Sequence, residues 1–488
     1  MSKKQLHVIC ATIFYYISPV LNAPLPSDDN DGSSSATENP RSLWSIPWSC
    51  LVTIVACTWL PVHPNVPGRK LTESGRGAVV VDRVKTMAIA VLAPEVIVAW
   101  AASQFIVAWR VFCLDKEAIS IWTHTKQKIK DCCCCSSKDT NQDTQQDPHH
   151  TPPQPKLTMT HGFFLSMGGF YEEGTEDIIT LERLKEDEGL MKELAKTGEP
   201  IRDKSKADAF SKILSILQIA WFITQCMARA NQHLTVTLLE VTALAFAVSS
   251  IIASLLWFYK PLNVRYPIGV TVPTSSLSPQ HPIPPSPEKI LSPFIVSLMK
   301  KYSILFGAGR RGTTKKVVGD GVPRFWAGGP DTDVSKIRAP TMLAVGVLFG
   351  AIHCAAWSSP FPSHTEMMLW RFSSVAVLIG LVGPLLLFIH GFRKAVIWIH
   401  TGACDYIKST KDNHILCLPV SLVILIICLP VVSFIVILML FLTMMLLFGL
   451  ILYTAGRLIL LVLAFVELRS LPPSSLDTVQ WTTYMPHI

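Results

Sequence analysis

Charged residues are scarce in this chain. Asp, Glu, Lys and Arg make up 16% of 488 residues, against roughly 25% in soluble domains. That deficit excludes an ordinary water-soluble domain and a solvated disordered chain. Catalytic signatures are missing as well. There is no H-E-x-x-H and no G-x-S-x-G, the marks of zincins and α/β-hydrolases. The segment Gly307-Ala308-Gly309-Arg310-Arg311-Gly312-Thr313-Thr314-Lys315 fails as a phosphate loop. A lysine must follow the last glycine directly, and Thr313 stands there. His149-His150 has no partner ligands nearby, so no metal box forms, and no cofactor motif is found. No basic stretch is interleaved with aromatics, so nucleic acid is not an expected partner. There is no N-x-S/T sequon to report topology.

What is present is apolar. Hydrophobic residues reach 50%, gathered in blocks of about 20, enough to cross about 30 Å of hydrocarbon as helix. The expected fold is all-α: a polytopic transmembrane helix bundle of seven or eight spans in a lipid bilayer, with two long, partly disordered cytoplasmic loops. Residues 1–23 read as a signal peptide, with Lys3 and Lys4 ahead of an apolar run. Residues 24–43 read as a disordered acidic linker. The N-terminal membrane region, 44–112, holds a weak span at 45–62 and a strong span at 87–112 that contains Pro94, Glu95 and Gln104. A loop over 113–209 follows, low-complexity at 136–156 and with amphipathic helical spacing at 177–196. Two spans joined only by 231–234 make an antiparallel hairpin, 210–259. A basic, proline-rich loop covers 260–340. The C-terminal transmembrane region is 341–466, with spans at 341–357, 372–392, 415–437 and 440–466, and the tail is 467–488.

Charge orients these pieces. The loop 260–340 carries twelve Lys/Arg and four acids, whereas 231–234 and 358–369 carry no Lys or Arg. Positive loops stay in the cytoplasm, so 113–209, 260–340 and 393–414 are expected there. The basic stretch 300–316 would then face anionic lipid. The run Cys132, Cys133, Cys134, Cys135 cannot converge on one zinc and reads as a palmitoylation site beside the membrane. The N-terminal region resists this scheme. A cleaved signal and a crossing at 87–112 leave no room for 45–62 to cross, and Arg69, Lys70, Arg76, Arg83 and Lys85 fall on the outer side. The sequence leaves this point open, along with the compartment of the membrane.

Ionisable groups inside a bilayer are costly, so each is a site candidate. Glu95 and Glu240 qualify. Gln218 and Gln225 share a helix face, and Gln225 lies at the depth of Glu240, so Gln225 or Arg229 is expected to contact Glu240. The alternative is a polar pair that only locks two helices together. Two loop motifs stand out: 160–170, with His161, Gly162, Gly168 and Gly169, and 203–208, with Asp203, Lys204 and Asp208.

Several stretches are shared with known sequences. They include Trp48-Ser49-Cys50-Leu51, Cys57-Thr58-Trp59, Val62-His63-Pro64-Asn65-Val66-Pro67 and Leu92-Ala93-Pro94-Glu95. Others are Thr160-His161-Gly162-Phe163-Phe164, Asp203-Lys204-Ser205-Lys206-Ala207-Asp208, Leu239-Glu240-Val241-Thr242 and Lys260-Pro261-Leu262. The tail adds Leu468-Arg469-Ser470-Leu471-Pro472, Thr478-Val479-Gln480-Trp481-Thr482 and Pro486-His487-Ile488. On these the chain resembles an uncharacterised family of fungal, mainly basidiomycete, multi-pass membrane proteins. Similar sequences tend to have glycine at Ala207. The resemblance implies architecture and no activity. Two functions remain: a transporter or channel, with the intramembrane acids lining a polar cavity, or a membrane sensor or scaffold that binds a partner through its cytoplasmic loops.

Overall fold

The computed structural model describes residues 41–114, 156–262, 264, 266–271, 321–328, 332–380, 444 and 448–481. Among them, helices α1 (Ser45–Trp59), α2 (Arg69–Glu73), α3 (Arg76–Leu92) and α4 (Pro94–Leu114) come first. Then come α5 (Met159–Ser166), α6 (Leu181–Glu186), α7 (Glu188–Lys196), α8 (Gly198–Asn231) and α9 (Leu238–Leu256). Next are α10 (Thr332–Cys354) and α11 (His364–Gly380), then α12 (Phe448–Ser470). One small sheet pairs β1 (Phe170–Glu172) in parallel with β2 (Ile268–Val270). The cysteine run, the basic stretch 300–316, the span at 415–437 and the signal region lie outside the described residues.

Five helical stretches are long and apolar enough to cross a membrane: Pro94–Leu114, Lys212–Asn231, Leu238–Leu256, Lys336–Cys354 and Phe448–Ser470. Their outward side chains are apolar too. Leu217, Trp221, Leu255, Val347, Ile451 and Val462 are exposed, a surface that water does not suit. Thr237 begins α9 with a capping box, its hydroxyl accepting from Glu240 N while the Glu240 carboxylate accepts from Thr237 N.

The bundle has two distinct ends. At one, which we call the turn end, lie the α8–α9 turn, the α10–α11 turn and the segment after α12. At the other, the loop end, lie α5 to α7, the small sheet and residues 321–328. Because β1 pairs with β2, the two long loops share the loop end. Helix α1 runs between the ends. Arg41, just before it, pairs with Glu240 at 2.6 Å, and His63, just after it, accepts through its carbonyl from Lys260 Nζ. The segment past His63 stays at the loop end, where Val66 N donates to Met167 O at 3.1 Å and Pro67 bridges to Gly321.

The expected single span at 87–112 is broken. Proline lacks an N–H and forces the residue before it out of helix, and Ala93 sits at φ −149°, ψ 71°. Helices α3 and α4 therefore double back as a hairpin. Asp82 on α3 pairs with Arg324. Gln104 on α4 donates to Trp326 O at 3.0 Å. Each lies eleven residues from Ala93, so both arms return to the loop end. Their length from tip to base is about 16 Å, half the apolar thickness of a bilayer. The tip residue Leu92 lines one crevice with Phe246, near the middle of α9, and Phe349, in the C-terminal half of α10. The rest of α4 projects into the loop end, where Val107 and Val111 share a core with Phe164, Leu165, Phe170, Leu184, Leu190 and Leu194.

Other boundaries move as well. The amphipathic stretch 177–196 is two helices, because Asp187 leaves the helix and caps α7 by accepting from Leu190 N. The 203–208 motif is not a loop but part of α8, which continues unbroken from Gly198 to Asn231. Helix α10 begins at Thr332, ahead of Pro340, and α11 begins at His364, eight residues before the expected span. Gly162 lets α5 approach α4 closely, since a Cβ there would lie 2.5 Å from Ala108 Cα and O. Backbone atoms cannot swing aside. We expect Gly162→Ala to cost about 1–3 kcal/mol by overpacking and to speed proteolysis around α5; unchanged thermal stability would contradict this contact.

Candidate functional site

At the hairpin tip, Pro94 opens α4 and Glu95 lies in its first turn, where the N-terminal partial charge favours a carboxylate. Tyr453 and Arg457 are four residues apart on α12 and so share one face. Arg457 Nη2 donates to Glu95 Oε2 at 2.7 Å, Tyr453 OH donates to Glu95 Oε1, and Arg457 Nε donates to Tyr453 OH at 2.9 Å. The guanidinium lies 3.4 Å over the Phe349 ring, which stacks on His353 at 4.7 Å. Glu95 is 1% exposed. Charge is cancelled within the cluster.

A second cluster closes the loop end. Lys260 is fully buried. Its Nζ donates to Gln104 Oε1 at 2.8 Å and lies 4.7 Å over the rings of both Trp100 and Trp257. Trp257 Nε1 donates to the same Gln104 oxygen at 2.9 Å. The Gln104 amide donates to Asn65 Oδ1 at 2.8 Å and to the carbonyls of Ser166 and Trp326. Asn65 Nδ2 donates to the carbonyls of Pro323, Arg324 and Trp326, each at 3.1 Å. Four separate segments are thus tied through one glutamine. Burial, and then neighbouring Lys212, holds Lys260 well below the usual ammonium range.

His63 and His161 are also held below the usual imidazole range, chiefly by burial. Folded, they stay neutral, whereas the unfolded chain takes up protons near pH ~6.5. Below that value the unfolded state binds more protons. Stability is full above it and falls as pH drops toward the folded values. We expect amide exchange in α5 and in 61–66, corrected for intrinsic rates, to accelerate between pH ~7.5 and ~5, and His161→Gln to weaken the dependence. Equal protection at both pH values would refute it.

The turn end holds the third cluster. Glu240 pairs with Arg41 and accepts from Thr237 N at 3.0 Å. Gln225 is half-buried, and Arg229 turns instead to carbonyls of the tail, Asp477 O at 2.7 Å and Ser475 O at 3.0 Å. The expected direct contact of Gln225 or Arg229 with Glu240 is therefore replaced by Arg41 and the helix cap. A buried carboxylate takes the nearest complete set of donors, and the cap supplies two of them.

The sequence candidates thus fall in different places. Glu95 is at half depth, Glu240 is at the turn end, and Gln218 and Gln225 lie partly buried along α8. His161, Gly162, Gly168 and Gly169 dock in the loop-end core, with Thr158 N donating to His161 Nδ1 at 3.1 Å. Asp203, Lys204 and Asp208 lie within α8. Among the described residues no group of His, Cys, Asp and Glu could hold a metal ion. Arg457, Tyr453, Lys260 and Asn65 escaped the sequence reading. Arg457 had a signal: it is the sole Asp, Glu, Lys or Arg from 413 to 466, and the rule that flagged Glu95 applies to it equally.

No curated protein and no solved structure matches the chain. A family model does match, over residues 9–276. That stretch includes Glu95, Gln104, Glu240 and Lys260 and stops before Tyr453 and Arg457. Covering more than half of its length, the match makes the chain a member of DUF8562, a family of unknown function.

Proposed function

We propose that the protein is an integral membrane transporter or channel in which the α3–α4 hairpin re-enters from the loop side and the Glu95–Tyr453–Arg457 cluster is its closed gate. One observation carries this reading: an apolar helix broken at half depth, with an ion pair at the break. Interrupted helices inside a membrane line substrate and ion paths, and intramembrane charges mark them. A proton on Glu95 removes the charge that holds Arg457 and frees the hairpin tip from α12.

Re-entry also supports one consistent topology. With 87–112 doubling back, α1 is free to cross, and Arg41, just ahead of it, sits with the short turns. The basic residues of 63–86 then join the basic loops on a single, cytoplasmic side, as the positive-inside rule asks.

Flux in proteoliposomes, followed with pH-sensitive and potential-sensitive dyes, tests the proposal. The wild type is expected to carry flux that Glu95→Gln changes or abolishes, while Glu240→Gln, in the turn-end cap, leaves it intact in folded protein. The second reading is a sensor or scaffold. It is favoured by the close packing around Glu95 and by the docked 160–170 segment, which covers a packed core rather than a cavity. Absence of flux under every gradient, with Glu95→Gln merely less stable, would select it.

A further inference from the structure

Beside the ion pair, a narrow crevice with free space of about 20 Å³, room for a small polar group and not for a whole chain, runs between the α3 tip, α9, α10 and α12. Its walls are apolar, formed by Leu92, Phe246, Phe349 and Leu458 among others. Leu92 and Leu458 are 42% and 47% exposed, so the mouth opens on the apolar flank of the bundle, at half depth, and not at either end. Three polar side chains line it, Arg457, Thr242 and His353, whose Nδ1 lies 2.9 Å from Phe349 O. Arg457 is only 6% exposed, and Tyr453 and Glu95 take its Nε and Nη2. Its Nη1 has no partner. A buried, unpaired guanidinium nitrogen is costly, and it implies an acceptor that arrives from elsewhere. Thr242 Oγ1 spends its proton on Leu238 O at 2.9 Å, which leaves its lone pairs to accept.

We infer that this crevice binds a long-chain carboxylic acid in its protonated form, entering sideways from the hydrocarbon layer. The acid carbonyl accepts from Arg457 Nη1, the acid O–H donates to Thr242, and the chain leaves between Leu92 and Leu458. A donor–acceptor pair fits the protonated acid. The ionised carboxylate does not fit, because Glu95 already balances Arg457 and a second anion would be buried unpaired. A phospholipid headgroup stays at the membrane surface, far from this depth. The inference deepens the transport reading by naming its substrate class, and rests on that reading for transport though not for binding.

The test uses the full chain in phosphatidylcholine nanodiscs. The probe is a palmitic acid analogue with a mid-chain diazirine, and the control is a phosphatidylcholine carrying the same chain. After irradiation the labelled peptides are mapped. The acid probe is expected to label the α3 tip and α12 near 458–461. Excess palmitic acid should cut that labelling about tenfold, as should Leu458→Trp, and methyl palmitate, lacking the O–H, should compete far less. Because competition is read in the wild type, a misfolded variant does not decide the outcome. Equal, uncompeted labelling by both probes would mean ordinary boundary lipid and overturn the site, as would no labelling there. Competed labelling without flux leaves the site standing and ends the transport reading; flux without competed labelling does the reverse.

Discussion

Arg457→Met is expected to destabilise the bundle by about 3–5 kcal/mol. The substitution leaves Glu95 at half depth with only Tyr453 as donor, and an uncompensated buried charge is far worse than a missing pair. The hairpin tip then loses its tie to α12. The double variant Glu95→Leu with Arg457→Met should recover most of the loss, because apolar residues of similar volume often replace a buried ion pair at little cost. Glu95→Leu alone should fall between them, since the remaining guanidinium keeps its Phe349 face, a contact worth about 2 kcal/mol when desolvated. Denaturation in detergent measures all three. A single Arg457→Met variant as stable as wild type would show that the pair holds nothing together.

The second large effect is expected from Gln104→Leu. The side chain keeps its approximate volume and loses every hydrogen bond. Lys260 and Trp257 lose their shared acceptor, and Asn65, Ser166 O and Trp326 O lose a donor. Leaving buried polar groups unpaired costs about 1–3 kcal/mol each, and more for a charge, so a loss of at least about 3 kcal/mol follows even with partial relaxation. The damage should be local. Exchange should speed up in 61–66, in α5 and around 323–326, while α11 and the turn end keep their protection. Adding Lys260→Met should restore part of the loss, because it removes the buried amine that Gln104 served. No recovery in that double variant would mean that Gln104 acts through the backbone carbonyls and not through the lysine.

Both predictions rest on residues that composition treats alike. Glu95 and Glu240 look equivalent in sequence, each an acid near the start of an apolar helix. Packing separates them. Glu240 completes its own helix cap and meets Arg41. Glu95 has a proline before it and meets a cation 362 residues away. Lys260 and His63, read as loop residues, are buried because the Lys260 ammonium end lies over the rings of Trp100 and Trp257 and the His63 ring packs 5.7 Å from Trp257. For the loop motif at 160–170, only its docking on Ala108 shows why Gly162 cannot carry a side chain.

By itself the sequence determined that the chain is helical and apolar, and where the α8–α9 hairpin turns. Hydropathy suffices for these because each depends on local runs and their lengths. Only the tertiary structure decided that the helix breaks at Pro94 and doubles back, and that Glu95 at the tip of this hairpin meets Arg457. A proline ends a helix wherever it falls, but whether the chain then goes on or doubles back depends on what receives the tip. Here that is a tyrosine and an arginine on the last described helix, far along the chain.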